Sequence, residues 1–288
     1  MQRPADLADQ EYLTEEQAAA LEQGAIDRDE AALSAPVRRA EAGDFAGANG
    51  HAWQWGLEFG TKVVADRRTS RIIDPPNGRF PETTPSAKAD AARRRGFGAI
   101  LPWDDYLDLG QGDRCLALHG LPLSPLPYNN LVQFFQTEDY FVIYAEAFRT
   151  WRIAPISDRP HGTLRQRTGD LRAHWDGDTL VVQSTLVSHR LQQLSGSGLG
   201  LRTLTERFTR ESEDLIRYEY TVDDPTRWTR PWTASISLRT TVGPMFEVAC
   251  HEGNYAVPNI MRGARAQDGT PDEAPDEPGI LCWDCEPR

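Results

Sequence analysis

The sequence predicts an all-β protein, an antiparallel meander that closes into a barrel behind a helical and irregular N-terminal arm. Three observations carry this. After Arg114, about nine runs rich in aromatic and β-branched residues follow one another, separated by short polar breaks without helical periodicity. Two connections have hairpin chemistry: Asp176-Gly177 inside "HWDGDTLVV", and the polar tip near Ser212–Asp214 of "TLTERFTRESEDLIRYEYTV". The first third, by contrast, is alanine-rich and then proline-rich, and supplies no comparable strands. A meander of this length leaves two open edges unless it closes, so a barrel is the economical architecture. A two-sheet sandwich competes with it.

Residues 1–112 form the arm. Thr14 followed by Gln17 is a capping-box pattern ahead of "EEQAAALEQGAIDRDEAAL", a helix with few apolar positions that belongs on a surface. From Ala35 to about Arg95 the chain reads as irregular, with "DPPNGRFPETTP" (Asp74–Pro85) too proline-rich for any ladder and one short helix expected from Ser86 to Arg95.

The body spans 113–262. "NLVQFFQT", "DYFVIYAEAF" and "TWRIAPI" read as strands. With Asp176-Gly177 as a two-residue turn, Trp175 pairs with Asp178, Ala173 with Leu180 and Leu171 with Val182. Leu171, Ala173, Leu180 and Val182 then share one face, and His174 lies on the other with Thr179. In the second hairpin Leu204, Glu206 and Phe208 share a face, as do Ile216, Tyr218, Tyr220 and Val222. If those faces line the interior, Glu206 is a carboxylate pointing inward. "WTASISLRT" places Trp232, Ala234, Ile236 and Leu238 on one side, and "MFEVACHE" reads as the last strand. Residues 263–288 form an acidic, proline-rich tail, solvated by composition.

Composition excludes several classes. The 288-residue chain carries a net charge of −12, with no basic stripe to neutralise phosphates, so nucleic acid is not its partner. It has no apolar run long enough to span a membrane. Four cysteines, Cys115, Cys250, Cys282 and Cys285, are too few for a disulfide scaffold. The last two form "CWDC", which suits a tail disulfide or idle thiols better than a redox or zinc site. The opening "MQRPADLADQEYLTEEQ" has no export signal, so the chain as written reads as cytoplasmic.

"DRRTSRIIDPPNGRFP", "PYNN", "ISDRPH", "HWDGDTLVV", "TVDDPTRWTRPWT" and "ACHEGNY", in this order, resemble a family of uncharacterised bacterial proteins. The likeness spans about Thr61 to Arg265. It implies no specific reaction. It does imply an exported protein if a signal segment precedes the part that matches "RPADLADQEYLTEEQ". The architecture is similar to lipocalin-like ligand barrels, a likeness of outline that does not carry function.

Six histidines are available; the hairpin register discounts His174, His189 lies in the polar run "VSHRLQQLSGSG", and His51 and His119 lack polar company, which leaves two. His161 lies in "SDRPHGTLRQRTGD" beside Asp158 and Arg159, either as a general acid or base at a barrel mouth or as a loop imidazole tied to a carboxylate. His251 and Glu252 lie in "CHEGNY", where the alternation of Phe246, Val248 and Cys250 carries Glu252 inward unless Gly253 ends the strand first. His161, His251 and Glu252 are thus the candidate proton carriers. Candidate substrate-binding residues are Tyr128, Asn129, Asn130, Asp158, Arg159, Glu206, Tyr218, Tyr220, Trp232, Asn254 and Tyr255. For Tyr128, Asn129 and Asn130 a plain turn is the alternative, and for the aromatic residues a plain core.

No nucleophile elbow, zincin motif or dinucleotide fingerprint is present. The expectation is a cofactor-independent acid–base enzyme of isomerase, lyase or cyclase type, without metal, acting on a small hydrophobic molecule of terpenoid or aromatic character. A non-catalytic carrier of such a molecule is the alternative. An interaction protein with a filled barrel is a third.

Overall fold

The computed structural model describes residues 1–34, 66–95, 99–100, 103–109, 114–116, 121–125, 129–166, 168–185 and 203–269. Tyr128, His51, His119, His189, Cys282, Cys285 and most of the acidic tail lie outside these residues.

The arm begins as the capping box requires. The Thr14 hydroxyl accepts from the Gln17 N–H at 3.1 Å and the Gln17 side chain accepts from the Thr14 N–H at 2.9 Å. Helix α1 (Glu15–Ser34) follows, and α2 (Pro85–Arg93) forms close to where a short helix was expected. The stretch read as irregular does contain strands, β1 (Ile72–Asp74) and β2 (Arg94–Arg95), and β3 (Ala99–Ile100) follows just beyond it. Strand β1 ends where Pro75 and Pro76 stop any further pairing, and it is short enough to escape periodicity. The chain start is stitched beside it. Arg71 donates its backbone N–H to the Met1 carbonyl at 3.0 Å, and Arg3 donates to the Gly78 carbonyl at 2.8 Å. Gly78 permits this approach, since it has φ +69° and a Cβ there would stand 2.8 Å from the Ser70 Cβ.

Nine strands make two antiparallel sheets. Strands β4 (Val132–Gln136), β5 (Tyr140–Ala145) and β6 (Thr150–Pro155) form a three-stranded sheet in sequence order. Strands β7 (Asp170–Asp176), β8 (Thr179–Thr185), β9 (Thr203–Arg210), β10 (Leu215–Asp223) and β11 (Trp232–Arg239) join β1 in a six-stranded sheet of order β1-β11-β10-β9-β8-β7. An isolated parallel bridge, Ile156 to Ala173, links the end of β6 to β7. Among the described residues no ladder joins β1 to β4, so the all-β antiparallel architecture stands without a closed ring of strands.

The three-stranded sheet folds over the inner face of the larger one. Phe134 and Phe141 meet Phe208 at ring-centroid distances of 5.4 and 5.3 Å, Phe208 meets Tyr218 at 5.0 Å, and Tyr218 meets Tyr220 at 5.4 Å. Leu171, Ala173, Leu180 and Val182 are all buried in this core, as their shared face required, and His174 is exposed. The pairing itself differs by one turn position. Asp176 pairs with Thr179 and Ala173 with Val182, so the loop is Gly177-Asp178. Gly177, at φ +58°, takes the first loop position, where a Gly-first turn needs it. The slip moves each partner by two residues and so leaves every side chain on its face. In the second hairpin Tyr218 pairs with Phe208, Tyr220 with Glu206 and Val222 with Leu204, all buried.

Two expectations about the C-terminal part are corrected. "MFEVACHE" is not a strand: residues 240–250 join no ladder, and Phe246 is 68% exposed. The segment is instead held by the buried Glu146 carboxylate, which accepts from the Phe246 N–H at 2.9 Å, and by an Arg149–Glu247 ion pair at 2.6 Å. Helix, expected only in the first third, recurs as α3 (Ala256–Gln267). Pro258 sits in its first turn, where a missing N–H costs nothing, and the Asn254 side chain accepts from the Ala256 N–H at 3.0 Å.

Candidate functional site

Three polar clusters stand out, and their elements explain each. The first is inside the core. Arg152 on β6 and Glu206 on β9 both have fully buried side chains. One guanidinium nitrogen donates to Glu206 Oε1 at 2.9 Å and the other bonds Oε2, a two-pronged contact. The Tyr218 hydroxyl donates to Oε1 at 2.6 Å and in turn accepts from the Leu123 N–H at 3.0 Å, while Ser184 accepts from Arg152 at 3.3 Å. Burial works against the charge of Arg152, but the adjoining carboxylate outweighs it and holds the guanidinium above its ordinary pKa. Burial, reinforced by Glu206, pushes the Tyr218 phenol well up, and burial does the same for Tyr220. Glu206 is inward, as its strand face required, with both oxygens engaged by protein partners. Trp232 packs edge-on to Phe80 at 4.7 Å and to Tyr220 at 5.7 Å. Glu206, Tyr218, Tyr220 and Trp232 thus occupy the packed core.

The second cluster fastens the loop before β7. His161 Nδ1 lies 2.9 Å from Asp170 Oδ2, and Nε2 lies 3.1 Å from Gln183 Oε1. The same carboxylate accepts from the Gly162 N–H at 2.8 Å and from Arg172 at 2.8 Å. Arg172 also donates to the carbonyls of Arg159 and Pro160, at 3.3 and 3.2 Å. Burial alone would raise the Asp170 pKa, but the Gly162 N–H, His161 and Arg172 together hold it below the usual carboxylate range. His161 therefore has the arrangement of an imidazole tied to a carboxylate. Asp158 and Arg159 flank it, exposed.

The third cluster surrounds a disulfide between Cys115 and Cys250. It joins two segments 135 residues apart and makes Cys250 a crosslink, not a free thiol. An open cleft of about 350 Å³ adjoins it, lined by Tyr106, Arg114, Leu116, His251, Asn254 and Val257. Asn254 donates to Cys115 Sγ at 2.9 Å and its N–H donates to the His251 carbonyl at 3.2 Å, so the turn that presents His251 is braced on the disulfide. Gly253, at φ +71°, makes that turn. Glu252 and Tyr255 are exposed on the same turn and do not line the cleft.

The structure thus brings His251 and Asn254 together, but gives His161 separate partners. Asn129 adopts φ +58°, the left-handed geometry of a turn, with Asn130 beside it. Sequence reasoning missed Arg152, Arg114, Tyr106 and the Cys115 crosslink, whereas the carboxylate tied to His161 is Asp170, the last residue of the same sequence stretch. Among the described residues no three His, Cys, Asp or Glu are placed to hold a metal ion, and no helix is long and apolar enough to cross a membrane. No protein-family model matches the chain, and no match is found among curated proteins or solved structures.

Proposed function

We propose that the protein is a cofactor-independent acid–base enzyme for a small, largely apolar molecule, with its chemistry at the cleft beside the Cys115–Cys250 disulfide. The observation that carries this is the convergence of His251, Tyr106, Arg114 and Asn254 on one cleft that also offers Leu116 and Val257 as apolar contacts. A concave site with a few convergent polar groups is where a small molecule is held and oriented. His251 is the proton carrier in this reading, because its imidazole lines the cleft and reaches solvent for proton exchange. The Tyr106 hydroxyl and the Asn254 amide would orient a substrate oxygen. His161, fixed between Asp170 and Gln183, would hold the 157–162 loop, and Glu252 would assist only from the rim.

The wider expectations belong to the same proposal. The Ile156–Ala173 bridge supports treating the nine strands as one barrel of lipocalin-like outline. The disulfide favours an exported, oxidising setting over the cytoplasm and agrees with the bacterial family that the motifs resemble.

The test is turnover of the small molecule that copurifies, identified by mass spectrometry. His251→Asn should lower the rate by ~10²–10⁴-fold while thermal stability and affinity change little. Full affinity in a wild-type protein that never alters the ligand would instead establish a carrier.

A further inference from the structure

We infer that the cleft takes an organic monoanion, a carboxylate borne on a compact apolar group, with Arg114 as the residue that holds the charge. This rests on the reading of the cleft as the small-molecule site and adds the chemical class of its ligand. Among the described residues six line the cleft: one is a permanent cation, one an imidazole, and none is acidic. In a chain with a net charge of −12 such a surface is not what composition alone would leave.

The carboxylates that flank Tyr106 in sequence are occupied elsewhere. Asp108 accepts from the backbone N–H groups of Asp104 and Asp105, both at 3.0 Å, and Asp105 accepts from the Leu107 N–H at 2.8 Å. These carboxylates close their own turn around Tyr106. Among the described residues Arg114 has no ion-pair partner, and its buried Nε has no hydrogen-bond acceptor. A carboxylate would give the half-buried guanidinium the two-pronged partner that arginine favours and that no ion pair among the described residues supplies.

Position supports the same assignment. Arg114 immediately precedes Cys115, which is buried, left-handed at φ +54° and crosslinked, so the backbone that carries the guanidinium is anchored. The other lining segment, His251 to Val257, is anchored by the same bond. One fixed cation among the described lining residues, in a cleft that also offers Leu116 and Val257, suits a monoanion with an apolar body better than a polyanion such as phosphate. The volume, about 350 Å³, lies at the small end of ligand sites and limits that body to a compact group.

Phenylacetate, its neutral isostere phenylacetamide, and inorganic phosphate test this by calorimetry and by the His251 ring signals in NMR. Phenylacetate should bind saturably and shift the His251 signals, with phenylacetamide weaker by about tenfold or more. Arg114→Gln should weaken phenylacetate by a similar factor, and Arg114→Lys by less, with the unliganded melting temperature unchanged. Equal binding of acid and amide, no binding of the acid, or stronger binding of phosphate would overturn the inference. The acid and amide comparison needs no variant, so a misfolded substitution does not obscure it. Equal binding at the cleft would remove the anion assignment yet leave the proton-transfer reading standing. Anion binding with normal turnover in His251→Asn would do the reverse.

Discussion

Arg152 and Glu206 meet head-on inside the protein, one from each sheet, with neither side chain reaching solvent. Their two-pronged contact, completed by the Tyr218 hydroxyl and Ser184, is the polar tie between the three-stranded and six-stranded sheets. Such a pair gives geometric definition more surely than net stability, because desolvating two charges offsets most of their attraction.

Removing one partner is a different matter, since it leaves a charge buried without compensation. Glu206→Gln should therefore cost about 3–5 kcal/mol in urea unfolding. The joint change Arg152→Met with Glu206→Leu should recover most of that loss. A single variant as stable as the parent would show that water reaches the pair.

This tie also marks how far the sequence could be read. Glu206 was legible because Leu204, Glu206 and Phe208 alternate opposite Tyr218 and Tyr220, and one face of that hairpin had to be inside. Arg152 was not legible. In "TWRIAP" hydrophobicity alone turns Trp151 and Ile153 inward, whereas they are 51% and 56% exposed and Thr150, Arg152 and Ala154 point in. The face was decided by a partner 54 residues away, which local periodicity cannot register. "ACHEGNY" failed for the same reason. Its apparent strand parity was overridden by the bond to Cys115 and by the helix that begins at Ala256. The cleft, formed by residues remote in sequence, could be named from one side only, through His251 and Asn254.

The exposed and buried tryptophans should differ sharply. Trp151 stacks on Tyr144 at 4.0 Å on the outer face of the three-stranded sheet, and an exposed pair of this kind contributes about 0.5–1.5 kcal/mol. Trp232 is 5% exposed amid Phe80, Tyr220 and Trp228. Trp151→Ala should stay within that small range, whereas Trp232→Ala should cost about 3–5 kcal/mol. Chemical denaturation of the two variants checks the ranking, and reversed costs would mean the sheet faces are misassigned.

Asp170 predicts a pH dependence with a definite sign. Its folded-state pKa is depressed, so its contribution is present above the ordinary carboxylate value of about 3.9 and is lost as pH falls through the lower folded value. Asp170→Asn should thus be less stable than the parent at neutral pH, with the gap narrowing as pH drops below about 4. Urea midpoints across that range measure it. A gap that widened in acid would contradict the pairing with Arg172 and His161.

The Cys115–Cys250 bond makes the last prediction, because it serves the fold and the cleft in different degrees. It closes a long loop, and crosslinks of this kind typically contribute about 2–4 kcal/mol by restricting the unfolded chain. The core between the sheets is built without it, from side chains on β1 and β4–β11 together with Leu121, Leu123 and Trp228. The turn that carries His251 has no such support: residues 240–250 join no ladder, and α3 has no buried residue. Reduction, or Cys115→Ser with Cys250→Ser, should therefore lower the unfolding free energy by about 2–4 kcal/mol while the β-sheet spectrum survives. Amide exchange should quicken first in residues 251–257 and only later in the hairpins. Arg114 and His251 would no longer be held at one cleft, so ligand binding there should fail under conditions in which the sheets remain folded. If binding and sheet structure are instead lost together, the bond supports the whole core and the cleft is not a separately anchored unit.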